Sequence, residues 1–236
     1  MKSILLLHGW NDLNYTSQTD KKDAWWNREK FVNELSKNYK VYKLNFPGFC
    51  HEPEPKEKEW NLDNFASYVN DYIVKNNLKI DYVLGYSFGG AVAIKYNLLF
   101  NNKQKLILVS PAITRNADRS KKMIKTPRFL KSIRNFIRDL YLKYIVKNEY
   151  MIHGTKFLNR TYQNIVRVSL IDELTNIDSK DINIIYGSKD KMVNPLYVYN
   201  SLSDEYKKKV FFIKDGSHDI ANTNTEELVK IINDVK

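Results

Sequence analysis

The stretch Asp81-Tyr82-Val83-Leu84-Gly85-Tyr86-Ser87-Phe88-Gly89-Gly90 constrains this chain more than any other. An apolar run, Tyr82 to Leu84, stops at a Gly-x-Ser-x-Gly core, and a helix-like run from Ala91 to Phe100 follows at once. That order puts Ser87 where a strand turns sharply into a helix, the arrangement of a nucleophile elbow. A serine there takes a strained backbone conformation that lifts its hydroxyl clear of the sheet, and side chains in place of Gly85 and Gly89 would collide across the turn. The plainer alternative is a glycine-rich turn whose serine only caps the next helix. The strand before it and the helix after it favour the elbow.

Six short apolar runs alternate with helix-like segments: Ile4 to Leu7, Val41 to Phe46, Tyr82 to Leu84, Leu106 to Val109, Ile182 to Tyr186 and Val210 to Ile213. Several are too continuously apolar for a sheet with one wet face, so helices should cover both faces of a mainly parallel sheet of about six strands. Helical spacing of apolar residues marks Trp25 to Leu35, Leu62 to Val74, Ala91 to Phe100, Pro195 to Leu202 and Glu226 to Val235, with Asn61 and Thr225 as expected caps. From Ala112 to Asp178 the alternation breaks and only helical pattern remains, with Phe129, Ile133, Phe136, Ile137, Leu140, Tyr144 and Ile145 along one face. The expected organisation is a core of residues 1–111 and 179–236 with a helical lid, 112–178, inserted after the fourth strand. Such a lid would lie over the sheet's carboxyl edge, where open parallel sheets bind their ligands.

A chain of 236 residues suits one α/β domain with a sizeable core. Cys50 is its only cysteine, so no intramolecular disulfide is possible and nothing asks for an oxidising compartment. The opening run Ile4 to Leu7 stops at His8-Gly9 without a small-residue cleavage site and reads as a strand rather than a signal peptide. No apolar run approaches the roughly 18 residues of a membrane span, so a soluble cytoplasmic protein is expected.

Three loops complete a site around Ser87. His8-Gly9-Trp10 closes the first strand, so the backbone N–H of Trp10 can face the same edge as Ser87; with the N–H of Phe88 it would make an oxyanion hole. His8 itself is expected to hold this loop through a ring hydrogen bond. Asp190 lies just past the run Ile182 to Tyr186, and His218 just past the last strand. The order serine, acid, histidine suits a parallel sheet whose successive strand ends each supply one group. Asp215 and Asp219 are rival acids, but adjacency to His218 in sequence places them poorly for reaching its ring. His51 and His153 are rival bases on segments that do not follow a strand end.

These motifs, together with Phe46-Pro47-Gly48-Phe49 and Val109-Ser110-Pro111-Ala112, make the chain resemble the α/β-hydrolase superfamily over nearly its whole length. The similarity is to small bacterial members such as carboxylesterases, carbon–carbon bond hydrolases and proline iminopeptidases. The resemblance implies the α/β-hydrolase fold without two edge strands of larger members, and a Ser87–His218–Asp190 triad with the Trp10 and Phe88 N–H groups at the oxyanion. It further implies two-step cleavage of a carboxylic ester through an acyl-enzyme, with no metal or organic cofactor. Carbon–carbon bond hydrolysis, a lysophospholipase or monoacylglycerol-type lipase activity, and a non-enzymatic small-molecule receptor are the alternatives. A serine at position 87 argues against relatives that use an aspartate nucleophile. Tyr86 and Phe88 depart from the Gly-Gly-Ser-Trp-Gly typical of proline iminopeptidases. Asn11-Asp12 and a polar loop to Asp23 stand where relatives have further glycines, so an unusual oxyanion loop is expected; Cys50-His51 is assigned no chemistry.

The net charge of +11 is uneven. Fifteen basic residues face twelve acidic ones from Met1 to Pro111, fourteen face six from Ala112 to Asp178, and nine face nine thereafter. The excess of the lid segment, with Arg115, Arg119, Lys121, Lys122, Lys125, Arg128, Lys131, Arg134 and Arg138, is most simply solvated surface in a lysine-rich chain. Sharper readings are attraction of an anionic ester or weak contact with an anionic membrane surface. Nucleic acid is not an expected partner, because no recognised motif accompanies the charge.

Overall fold

A computed structural model of the protein describes residues 1–101, 103–114 and 148–235. Its centre is a six-stranded sheet, β1 Lys2–Leu7, β2 Tyr39–Leu44, β3 Tyr82–Tyr86, β4 Lys105–Val109, β5 Ile182–Gly187 and β6 Val210–Ile213, in the spatial order β2-β1-β3-β4-β5-β6. Every neighbouring pair is parallel. The chain therefore starts mid-sheet, adds β2 on one side and then crosses β1 to build outward through β3 to β6. All six carboxyl ends share one edge.

Alternation of side chains sorts the strands into two apolar cores, as the period of a strand requires. Leu5, Leu7, Val83, Leu106, Leu108, Ile182 and Ile184 face one side, where α2 (Leu62–Lys75) and α3 (Phe88–Phe100) pack. Ile4, Leu6, Leu84, Ile107, Val109 and Ile185 face the other, covered by α1 (Glu29–Ser36) and, at the end of the chain, by Leu228, Val229 and Ile232. Coverage on both sides is why β3 reads as an unbroken apolar run.

Some boundaries differ from the sequence pattern for visible reasons. The run Val41 to Phe46 stops being a strand at Leu44: the Asn45 carboxamide turns to the neighbouring loop, accepting from Ala24 N at 3.0 Å and donating to Lys22 O at 2.7 Å, and the Phe46 N–H is donated to His8 Nε2 at 3.0 Å. Of the helix expected from Trp25, the first part is a single 3-10 turn, Trp26–Arg28. Asn61 caps α2 as expected, in a reciprocal capping box with Asn64. Thr225 is not a cap: it is the first residue of its helix, and its hydroxyl is donated back to Ala221 O at 2.7 Å.

After β4, residues 115–147 lie outside the described residues, and with them the apolar face from Phe129 to Ile145 and the basic residues Arg115 to Arg138. The chain resumes in α4 (Glu149–His153), α5 (Lys156–Ile165) and α6 (Ile171–Leu174). Met151, Phe157, Leu158, Tyr162, Leu170 and Leu174 share the apolar core that backs α2 and α3. Among the described residues, the rest of the helical layer is α7 (Pro195–Ser201), α8 (Asp204–Lys207), α9 (Ile220–Thr223) and α10 (Thr225–Asp234). Among the described residues no helix is long and apolar enough to cross a membrane.

Candidate active site

Ser87 stands between β3 and α3 with φ 51° and ψ −111°, a left-handed backbone at a non-glycine residue. Its carbonyl accepts from Gly90 N at 3.0 Å and Ala112 N at 2.9 Å, and its own N–H is donated to Val109 O at 2.9 Å. The turn is possible because two positions lack a Cβ. One built on Gly85 would stand 2.6 Å from Gly90 Cα, and one on Gly89 would overlap the backbone oxygen of Leu7. α3 starts at Phe88, so the Phe88 N–H belongs to the first helical turn, where no intrahelical carbonyl is available to it.

The loops after β5 and β6 bring the acid and the histidine to this serine. His218 Nε2 lies 3.0 Å from Ser87 Oγ, and His218 Nδ1 lies 2.8 Å from Asp190 Oδ2. The other carboxylate oxygen, Oδ1, accepts from Met192 N at 2.8 Å and Val193 N at 3.1 Å, so both oxygens of a side chain with no exposed surface are engaged. In the tautomer with Nδ1–H donated to Asp190, the Nε2 lone pair is left for the serine hydroxyl. The two loops are tied directly: Ser188 N is donated to Ile213 O at 2.9 Å, Lys189 N to Gly216 O at 2.8 Å and Asp215 N to Ser188 Oγ at 2.8 Å. Gly187 permits this, since a Cβ there would strike the backbone oxygens of Gly216 and Ser217.

The rival acids are engaged elsewhere, and the rival histidines lie on other segments. Asp215 pairs with Lys189 at 2.8 Å on the exposed surface, and Asp219 pairs with Arg28 at 2.8 Å. His51 is exposed in the turn after β2, where its backbone N–H is donated to Thr16 Oγ1 at 3.0 Å. His153 ends α4. Cys50 is buried, and burial pushes its thiol up to about 11, which keeps it protonated. Among the described residues no group of three His, Cys, Asp or Glu side chains is arranged to hold a metal ion.

The loop after β1 is ordered by aromatic and amide contacts. Gly9 lies against the elbow, where a Cβ would be 3.3 Å from Ser87 Cβ. The next residue, Trp10, sets its ring edge-on to Phe88 and to Phe49, with centroids 5.1 Å apart in each case, and donates Nε1–H to the Tyr15 hydroxyl at 2.6 Å. Asn14 takes the place of the missing glycines as organiser: its Nδ2 is donated to Ala24 O, its Oδ1 accepts from Trp26 Nε1, and its carbonyl accepts from Cys50 N. Tyr15, Asn14 and Arg28 are the residues that sequence reasoning passed over. Their partners are remote in sequence or ordinary in type, and no local pattern marks them.

Trp10 and Phe88, the residue after Ser87, join Ala91, Ala112, Tyr162 and Val166 around an apolar cavity of about 30 Å³.

With this geometry in hand, the comparisons identify the class. The sequence model of the alpha/beta hydrolase fold family matches residues 2–136, and the chain belongs to that family. Among relatives, it is similar to the proteins named "Putative esterase/lipase 2" of two mycoplasmas. It is 31% identical to that of Mycoplasma pneumoniae over 100 residues, 42% of this chain and 37% of that one. It is 27% identical to that of Mycoplasma genitalium over 192 residues, 76% of this chain and 72% of that one. The match thus spans little more than a third of the first relative's length. Among solved structures, the meta-cleavage product hydrolase of Pseudomonas fluorescens superposes with a TM-score of 0.65 at 15% identity, covering 100% of this chain and 90% of that one, a likeness of fold alone.

His8 supplies a test of the loop. Its ring is buried between the Gly9 carbonyl, 2.9 Å from Nδ1, and the Phe46 N–H donated to Nε2, a pairing that only the neutral Nδ1–H tautomer satisfies. Burial accordingly pushes its pKa down to about 4. Below the ordinary value near 6.5 the unfolded chain takes up a proton that the folded one refuses until about pH 4. Stability should therefore be flat above pH 6.5 and fall between there and pH 4, by about 3 kcal/mol from this group. Urea unfolding of the protein and of His8→Gln across that window should give a steeper loss for the native chain; parallel curves would remove the assignment.

Proposed function

We propose that the protein is a serine hydrolase that cleaves carboxylic esters of short apolar acids. The observation that carries this is the chain of contacts from Asp190 through His218 to Ser87, with separations of 2.8 and 3.0 Å. In the proposed reaction the Ser87 oxygen attacks the ester carbonyl while His218 Nε2 takes its proton. Asp190 stabilises the resulting imidazolium, and the N–H groups of Phe88 and Trp10 stabilise the oxyanion. Collapse expels the alcohol with the proton from His218. Water, activated by the same imidazole, then breaks the acyl–serine bond and releases the acid. No step calls on a metal or organic cofactor. Residues 112–178 would cover this edge as a lid, a reading supported by α5, whose Tyr162 ring stands 5.6 Å from Trp10.

A fluorophosphonate should label Ser87, and Ser87→Ala should abolish both labelling and turnover. Asp190→Asn should lower kcat by up to about ten-thousandfold, by analogy with the same substitution in a serine protease. Labelling at another residue with turnover intact in Ser87→Ala would sink the mechanism and leave the receptor reading in its place.

The size of the apolar cavity supports the acyl preference. A water needs some 10–15 Å³ of such space, so about 30 Å³ takes two or three carbon atoms beyond the carbonyl. In a series of 4-nitrophenyl esters, kcat/KM should rise about fourfold per methylene from acetate to butyrate, at about 0.8 kcal/mol each, and fall by octanoate. Val166→Ala should move the optimum to a longer chain. An optimum at octanoate or beyond in the native protein would instead favour the lipase alternative.

The basic excess of residues 112–178 supports a preference for esters carrying a remote carboxylate. Their kcat/KM should exceed that of neutral esters of equal size at low salt, and the advantage should fade near 0.1 M, where the Debye length is about 10 Å. Equal rates at low salt would return the charge to plain solvated surface.

A further inference from the structure

Three loops of the site meet at one buried cation. Arg28 ends the long loop after β1, and its side chain is only 11% exposed. Its Nε and Nη2 are both donated to Asp219 Oδ1, at 3.2 and 2.8 Å, and Nη1 is donated to Asn27 Oδ1 at 2.9 Å. The guanidinium carbon sits 4.6 Å from the centre of the Tyr86 ring, and Nη2 lies 3.4 Å from the Tyr86 hydroxyl. Tyr86 precedes Ser87, and Asp219 follows His218. The Tyr86 hydroxyl lies 3.1 Å from both His218 O and Asp219 Oδ1, and its ring is 5.7 Å from the His218 imidazole. Burial raises the pKa of that phenol, so it stays a donor.

Such a pair is not explained by stability. The Arg28 guanidinium has left the water, which is costly for a cation, while its Asp219 partner keeps 41% of its side-chain surface exposed, which weakens the pair. What the pair does is geometric and electrostatic. The groups facing the His218 ring are Ser87 and Tyr86 from the elbow and Asp190 from the loop after β5; Asp219, on its own loop, turns its carboxylate to Arg28. The exposed Lys189–Asp215 pair lies in the adjoining loops. Asp219 follows His218 in the chain and shares the Tyr86 hydroxyl with the His218 carbonyl, so an unpaired Asp219 would add a second negative charge to the histidine loop. Burial works against its ionisation, but Arg28 beside it and hydrogen bonds from Asn222, Arg28 and Tyr86 hold it below the usual carboxylate range.

We propose that Arg28 is a positioning residue for the hydrolytic site. It fixes the histidine loop to the elbow through Asp219 and Tyr86, and it neutralises Asp219 so that Asp190 alone sets the basicity of His218. The proposal rests on the Ser87–His218–Asp190 mechanism above. Without Arg28, an unpaired Asp219 carboxylate would favour the imidazolium. His218 would then lose its proton at higher pH, and the acid limb of kcat/KM would move up.

The experiment compares Arg28→Met, Arg28→Lys and Arg28→Met/Asp219→Asn with the native protein. Lys30→Met, which removes an exposed pair with Glu226, serves as control. Turnover of 4-nitrophenyl acetate is followed across pH, together with the rate of fluorophosphonate labelling and the thermal midpoint. Arg28→Met should lower kcat by roughly 10- to 100-fold, the scale of a misplaced catalytic group, with KM within about twofold. Its acid limb should rise by about one pH unit. Arg28→Lys should return the limb most of the way, since the charge is restored without the two-pronged grip, and should recover part of kcat. The double variant should return the limb without recovering kcat. If Arg28→Met does not fold, Arg28→Lys and the double variant decide in the same way. Folded Arg28 variants whose limb and kcat match those of the native protein would overturn the proposal, as would losses that follow only the thermal midpoint with an unmoved limb. Full turnover in Ser87→Ala would instead refute the mechanism on which the proposal rests, so the two failures are told apart.

Discussion

At Ser87 the backbone is held at φ 51°, and the rest of the site depends on that one distortion. A non-glycine residue in this region costs on the order of 1–3 kcal/mol, and it persists only where its surroundings leave no alternative. Here β3 ends against β1 on one side and β4 on the other, and Ser87 is bonded through both its N–H and its carbonyl. Without Cβ atoms at Gly85 and Gly89, α3 comes close enough to the first strand for its opening turn to lie beside Gly9 and Trp10. The strain thus aims the hydroxyl outward and draws the loop after β1 to it.

Parallel strand order does the remaining assembly. Because every strand ends at the same edge, loops far apart in sequence deliver Gly9, Ser87, Asp190 and His218 to neighbouring places. The acid and histidine loops are zipped together by backbone bonds, so their relative position comes from the β5–β6 pairing rather than from the side chains that meet there. A 2.8 Å contact between Asp190 and His218 is the consequence of that register.

Much of this was legible in the sequence because it is written in short-range signals. Continuous apolar runs announced strands buried on both faces, and the glycines around Ser87 announced the elbow. The positions of Asp190 and His218 followed from each lying just past a strand end. What was not legible depends on contacts between distant segments. The end of β2 is set by Asn45 and by the Phe46 N–H turning to His8, and neither shows in local hydrophobicity. Thr225 had the composition of a cap, but its hydroxyl found a carbonyl one turn back. The loop from Asn11 to Asp23 looked like an irregular departure. It is ordered by Asn14, whose buried amide and backbone carry bonds to residues near positions 24, 26 and 50.

The two aspartates nearest His218 illustrate how packing assigns roles that sequence distance leaves open. Asp219 directly follows His218 in the chain, yet its side chain turns to Arg28, a permanent cation that pairs with its charge. Asp190 comes from another strand. Its second oxygen is held by two neutral N–H groups, so its charge is oriented without being cancelled and is available to His218 Nδ1. Hydrogen bonds from neutral donors orient a carboxylate without cancelling its charge, so its field is directed at whatever lies on its free side. Under the proposed role of Arg28, one oriented and one cancelled carboxylate would give the imidazole a single electrostatic partner, and the side chain that makes the difference belongs to neither aspartate's loop.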